Sequence, residues 1–391
     1  MHVLLLALML QRPVDSAVEL VMRTQHVAGL SLGIAQRERI LYERGYGDRD
    51  VLRHLPAQAD TVYRIGSLTK AFTARGIELL AARGKLGLDR PAARYVRTFP
   101  WNSAITVRDL LAQRSGIPSY TDDPALNPYA WHPPARLALS VANQPVLFDP
   151  GTQYAYSNTN YVLLGMIAQH VTHETFEDFE NSRVVAPLRL RHTRYGDQPD
   201  EALGYAWDGR QFQRATPSSP AYAFAAAAMS SNVPDLLRFL ATMKPPYYGL
   251  MQSEQFGEEV WYAAGNVDGY SAFAVIVPRT GMRFVALCNA DKLDLAPLAL
   301  DILRATGQSP WQEGFGPPQN EDPRVTAQIR KRAALLLAPE RVILLEFLRE
   351  DQTTSATRVT YRVTLANGVQ LLLSAPVSPD GTVGEISVSQ L

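Results

Sequence analysis

Ile65-Gly66-Ser67-Leu68-Thr69-Lys70-Ala71-Phe72-Thr73-Ala74-Arg75-Gly76-Ile77-Glu78-Leu79-Leu80 is the run from which the rest of this chain can be read. Apolar residues at Ala71, Phe72, Ala74, Ile77, Leu79 and Leu80 recur at helical spacing, and Arg83-Gly84 puts glycine where a helix C-cap sits. Ser67 therefore stands at the head of a helix. There the unpaired N–H groups and the positive end of the dipole favour negative charge developing on its hydroxyl. Lys70 lies three residues on, along the same helical face, so its amine reaches that hydroxyl. A serine is a weak nucleophile until a neighbouring base takes its proton, and an amine at that spacing is such a base. Ser-x-x-Lys alone is a weak pattern, but only five lysines occur in the chain, which makes an accidental pairing uncommon.

Working outward, residues 29–35 and 39–46 are β-prone runs on either side of a polar turn, and residues 272–278 and 283–289 form a second such pair. Between them, from about 106 to 220, short helical patterns alternate with Pro-rich and Gly-rich loops such as Ser115-Gly116-Ile117-Pro118 and Phe148-Asp149-Pro150-Gly151. Strands at both ends with helices between imply one antiparallel sheet carrying an inserted helical subdomain, about residues 70–220 of an α+β domain over 14–313. Val14, Ala17, Val18, Val21 and Met22 add an amphipathic helix ahead of the first strand. Inside the helical part, Tyr156-Ser157-Asn158 follows the turn at residues 149–152 and precedes a helical pattern at 161–171. A phenol and a carboxamide presented together offer a proton donor or acceptor and a hydrogen-bonding grip on an ester or amide, although a lone core tyrosine is the blander reading.

Several segments then carry a family resemblance. Ile-Gly-Ser-Leu-Thr-Lys at 65–70, residues 86–89, Leu-Leu-Ala-Gln-Arg-Ser-Gly-Ile-Pro at 110–118, Pro-Gly-Thr, Tyr-Ser-Asn and Asn-Tyr-Val-Leu-Leu-Gly within 148–165, and Val-Asp-Gly-Tyr-Ser at 267–271 stand in one order. Together they resemble the class C β-lactamase, D-alanyl-D-alanine peptidase and related esterase family, over roughly residues 20–300. The resemblance implies a sheet flanked by helices and a two-step acyl transfer on Ser67, with Lys70 and Tyr156 shuttling the proton and Asn158 holding substrate. It also implies Gly265 and Asn266 on a strand beside Ser67, the backbone N–H groups of Ser67 and Asn266 forming an oxyanion hole. The third family motif, Lys or His then any residue then Gly, reads Ala263-Ala264-Gly265 here. Its cation, which helps bind a substrate carboxylate in the peptidases and β-lactamases, is missing. The expectation is therefore a serine esterase or amidase. A true β-lactamase or peptidase using another cation, such as a loop arginine, is the alternative, followed by a hydrolase-like binding protein. A second departure is the alanine run 225–228, whose Cβ atoms are expected to narrow the cleft.

Composition agrees with an enzyme of small molecules or peptides. Of 391 residues, 46% are hydrophobic and 19% charged, with 38 basic against 38 acidic, so the electrostatic footprint of a nucleic-acid binder is lacking. No cofactor or metal site is expected: there is no phosphate loop, and His170 and His173 read as surface helix residues. Residues 3–10 have the length of a signal-peptide core, although no Lys or Arg precedes them. The expectation is a signal segment at 1–13 and a periplasmic or extracellular chain, with an ordinary apolar N-terminus on a cytoplasmic chain as the alternative, and no stable membrane span. Cys288, the lone cysteine, sits in an apolar run and is expected buried in a strand. Beyond a Gly- and Pro-rich linker at 314–323, residues 324–391 read as a small α+β domain: a helix at 324–337, strands at 341–349, 357–366, 369–374 and 385–389, and a turn at Asn367-Gly368.

Overall fold

The computed structural model describes residues 2–96, 99–253, 259–305, 328–329, 342–352, 357–365, 370–378, 382–384 and 386–390. The chain divides into two compact units, Met1–Thr306 and Gly307–Leu391. The first opens with α1 (His2–Thr24), β1 (Gly29–Gln36), β2 (Arg39–Asp50) and the short β3 (Leu55–Pro56). Its middle holds the helices α2 (Thr69–Ala82), α3 (Asn158–Thr172), α4 (Pro220–Ala227) and α5 (Val233–Leu240). The chain then returns as β4 (Met251–Ser253), β5 (Val260–Val267), β6 (Tyr270–Val277), β7 (Met282–Cys288) and α6 (Ala296–Ala305).

Pairing of the two hairpins closes the architecture. The sheet runs β3-β2-β1-β7-β6-β5-β4, all antiparallel, with Leu30 opposite Cys288 and Ser31 opposite Leu287 where the two ends of the unit meet. Everything between β3 and β4 is thereby an insertion into one sheet, as the sequence pattern implied. Both faces are covered. One packs Leu30, Leu32, Phe284 and Cys288 under Val14 and Val18 of α1 and Ile302 of α6. The other packs Ala263, Ala274 and Leu287 with Phe72 of α2, Leu164 of α3 and Leu237 of α5. Burial on both sides explains why all eight positions of β6 are buried and why its sequence shows no polar alternation. Phe72 and Phe239 stack with centroids 3.8 Å apart at the α2–α5 contact, and removing either ring is expected to cost about 3–5 kcal/mol.

Two local readings meet the structure differently. Gly84, at φ +67, ends α2 as expected: its N–H bonds the Ala81 carbonyl at 2.9 Å while Lys85 N–H bonds Leu80 at 3.0 Å, the paired closure of a Schellman motif. Rather than starting at Val14, α1 is one helix from His2, with Pro13 inside it. An interior proline removes one backbone bond and crowds the carbonyl one turn before it, at about 3 kcal/mol, a cost that Val14 and Val18 docking on the sheet offsets. Cys288 is fully buried and unpaired in β7. Among the described residues no helix is long and apolar enough to cross a membrane.

In the second unit β8 (Val342–Gln352), β9 (Thr357–Leu365), β10 (Gln370–Val377) and β11 (Ser387–Gln390) form an antiparallel meander around Tyr361, Val363, Leu373 and Ala375. The expected linker at 314–323, the turn at 367–368, and all of the helix expected at 324–337 except Gln328 and Ile329, lie outside the described residues.

Candidate active site

Ser67 sits on a turn that the backbone alone builds. The Ile65 N–H bonds the Met229 carbonyl at 3.0 Å, seating the turn on the short pair Tyr63–Arg64 and Met229–Ser231. Gly66 takes φ +50, a value that strains any residue with a Cβ, and Gly66–Leu68 make one 3₁₀ turn before α2 begins. The Ser67 N–H therefore precedes the first helical bond and has no helical acceptor.

Strand β5 passes directly against this turn. A Cβ on Gly265 would collide with the Ile65 carbonyl and stand 3.1 Å from Ser67 N, and one on Gly66 would stand 2.8 Å from Asn266 N. Only glycine at both places allows the two backbones to interlock. Val267 and Tyr270 close the two-residue turn Asp268-Gly269, so ladder alternation makes Gly265–Ala272 a bonded pair and Asn266–Ser271 a non-bonded one. The Asn266 N–H then points away from β6, towards Ser67. Gly265 itself gives its N–H to the ladder and contributes by lacking a side chain.

Two side chains meet at the serine. Lys70 Nζ lies 3.0 Å and Tyr156 Oη 2.8 Å from Ser67 Oγ. Lys70 is buried and also reaches Asn158 Oδ1 at 2.8 Å and the Ala226 carbonyl at 2.9 Å. Burial pulls its pKa down to about 7. A neutral amine has two N–H bonds and one lone pair. Two carbonyl acceptors take the N–H bonds, so the lone pair faces the serine hydroxyl. Tyr156 is moved the other way: desolvation of its phenol raises its pKa to about 12, with the Ser67 hydrogen bond opposing, so it rests as a proton donor to Oγ. As a residue Tyr156 is 41% exposed. Asn158, first residue of α3, is oriented by Ser119 and Thr121 hydroxyls at 3.4 and 3.2 Å from its Nδ2. Its Oδ1 accepts from Lys70 Nζ, so this side chain helps to hold the amine in place.

The alanine run reads differently in three dimensions. Ala225 and Ala226 are fully buried; the Ala225 methyl faces α3, where a Cβ on Gly165 would come within 2.6 Å of it. Their carbonyls, accepting from Thr73 and Lys70, are what reach the site, so the expected narrowing of the cleft by Cβ atoms does not arise at these two. Sequence reasoning missed this use of backbone, for which no side-chain signal exists. Ala263 is 3% exposed and packs within the core on the site's face of β5. Beside Lys70 and Tyr156 opens a cavity of about 440 Å³, lined mainly by Tyr, Trp and Leu side chains.

Comparison with known proteins gives this geometry its setting. The family model described as Beta-lactamase matches residues 14–307. The chain belongs to the beta-lactamase family. That family groups serine hydrolases, penicillin-binding proteins and amidases. The Staphylococcus aureus (strain MW2) protein flp is 28% identical over 320 residues, covering 71% of this chain and 63% of that protein, so the chain spans under two thirds of the relative's length. The D-stereospecific amidohydrolase from Streptomyces sp. superposes with TM-score 0.62 at 27% identity, over 76% of this chain and 97% of that one. The octameric penicillin-binding protein homologue from Pyrococcus abyssi shares the fold, with TM-score 0.68 at 21% identity over 97% and 98% of the two chains.

Proposed function

We propose that this beta-lactamase-family chain hydrolyses esters, with small amides as a second class, through an acyl-enzyme on Ser67. The observation that carries the reading is the convergence on one hydroxyl of a depressed-pKa amine at 3.0 Å and a protonated phenol at 2.8 Å. Near neutral pH Lys70 takes the Ser67 proton as Oγ bonds to the substrate carbonyl carbon. The carbonyl oxygen becomes an oxyanion at the Ser67 and Asn266 N–H groups, where each donor is worth about 10²–10³ in rate. The new ammonium is steadied by the faces of Tyr156 and Tyr161, 4.8 and 5.6 Å away. Collapse breaks the bond to the leaving group, which takes the Tyr156 proton; Lys70 returns a proton to the phenolate. Water then repeats the sequence on the acyl-enzyme and releases the acid.

The preference for esters rests on Ala263, where the resemblance expects a cation. The amide class is supported by the amidohydrolase among the related structures. An exported location, read from the apolar run at residues 3–10, belongs to the same proposal. Intact mass after a fluorophosphonate probe and after short-chain p-nitrophenyl esters tests it. One adduct on the native chain and none on Ser67→Ala is expected; an adduct that survives the substitution places the nucleophile elsewhere.

A further inference from the structure

The place of the cavity beside Tyr156 decides which half of a substrate enters it. Its lining includes Lys70, Tyr154, Tyr156, Tyr248, Leu250 and Trp261, whereas Ser67, Gly265 and Asn266 are not on it. In the tetrahedral adduct the oxyanion lies at the Ser67 and Asn266 N–H groups, and the departing oxygen lies where its proton is delivered, at the Tyr156 hydroxyl. The cavity therefore opens behind the departing oxygen, and the body of the alcohol extends into it. The acyl chain leaves the carbon by the remaining direction, away from these rings.

The aromatic wall is held in place from outside the cleft. Trp261 stands on the site's face of β5, in alternation with Ala263 and Gly265, and packs against the same core as Ala263. Its Nε1 donates to Glu259 Oε1 at 2.7 Å, and its ring meets that of Tyr247 with centroids 5.2 Å apart. The Tyr248 hydroxyl accepts from Arg108 Nη1 at 2.9 Å, and Asp89 holds the Arg108 guanidinium through two bonds of 2.6 and 2.9 Å. Rings fixed this way present a preformed surface to a second ring, which settles against them edge-on or offset. Space is ample: an apolar cavity of about 150 Å³ holds benzene, and this one measures about 440 Å³. Among the described residues that line it none is acidic, so nothing there holds a departing amine once it is protonated to ammonium. An uncharged alcohol suits it better.

We propose that this cavity is an aromatic-alcohol subsite, so that the favoured substrates are esters whose ring is carried by the departing alcohol and not by the acyl group. The proposal rests on acyl transfer at Ser67 and names its leaving group. Oγ bonds to the carbonyl carbon, the bond from that carbon to the alcohol oxygen breaks, and the oxygen departs with the Tyr156 proton while its ring lies among Tyr154, Tyr248 and Trp261. Benzyl acetate and methyl phenylacetate are isomers that differ in which side of the ester bears the ring. Benzyl alcohol and methanol are of similar acidity, so leaving-group chemistry does not separate benzyl acetate from methyl acetate. The full chain is expected to turn over benzyl acetate with kcat/KM at least tenfold above methyl acetate, and to show no such gain with methyl phenylacetate. Trp261→Ala and Tyr248→Ala should each lower the benzyl-to-methyl ratio at least threefold, whatever change both acetates share. The isomer comparison uses the native chain alone and decides even if both substitutions disturb folding. A native ratio below ten, an equal or larger gain from the ring on the acyl side, or a ratio that both folded variants leave alone overturns the proposal while acyl transfer stands. Absence of an acyl adduct on Ser67 from all three esters, read by intact mass after rapid quenching, removes the acyl-transfer reading and this one with it.

Discussion

Lys70 is the residue whose environment makes the strongest kinetic statement. Burial lowers its pKa to about 7, so the fraction of chain with a free lone pair at Ser67 rises through neutrality. kcat/KM for a neutral ester should therefore climb with pH along a limb centred near 7 and stay level to beyond pH 9, since Tyr156 loses its proton only near 12. A limb displaced by two units or more would mean that another group is the base. Because both side chains handle one proton, Lys70→Ala and Tyr156→Phe should each lower kcat by about 10²-fold or more, and the pair little further. Additive losses, measured by pre-steady-state acylation, would separate their roles. These residues were legible because their chemistry is carried by side chains at short, fixed spacing. Gln113 was quoted within a motif and passed over: what marks it is a buried Nε2 without an acceptor, which spacing cannot show.

At the scale of elements, the site depends on how closely β5 can approach the Ser67 turn. Gly265 is the contact: an added Cβ would run into the Ile65 carbonyl, a backbone atom that cannot swing aside. Gly265→Ala should push the strand from the turn and misplace the Asn266 N–H, lowering kcat by about 10²-fold or more for loss of one oxyanion donor. The altered chain should still acquire the fluorophosphonate label, only more slowly; labelling at the native rate would show that the strand is not packed as described. The long hairpins were legible from their apolar runs because seven or more paired residues leave a pattern. The pairs that seat the serine were not. Tyr63–Arg64 and Met229–Ser231 are two and three residues long, too short for any period, and exist because Ile65 and Met229 have backbone groups to satisfy. The start of α1 at His2 was not legible from the amphipathic spacing, which begins only at Val14.

For the whole molecule, the resemblance and the two-ended sheet made the fold of the first unit legible, while its stability turns on a residue that no pattern announced. Glu180 is fully buried, neither carboxylate oxygen has a protein partner, and Gly76 of α2 leaves room for it beside Phe179. Desolvation alone raises its pKa from 4.5 to about 8, with no charged neighbour opposing. The folded chain thus keeps a proton that the unfolded chain releases, and the contribution of this group to stability is fully present below pH 4.5 and lost as pH rises towards 8, by at most about 1.4 kcal/mol per unit. Lys70 works in the opposite sense, its folded pKa lying below its unfolded one, but only above pH 7, where the unfolded chain still holds the proton. Between pH 5 and 7 Lys70 is charged in both states and drops out. In that window Glu180→Gln, which fills the same space with a neutral amide, should flatten the fall of Tm with pH, and its advantage over the native chain should widen steadily from pH 5 upward. Calorimetric Tm differences between the two proteins cancel the titrations they share. If the two curves instead run parallel across the window, Glu180 reaches solvent or a partner in solution, and its burial between α2 and the turn that follows Phe179 is not maintained.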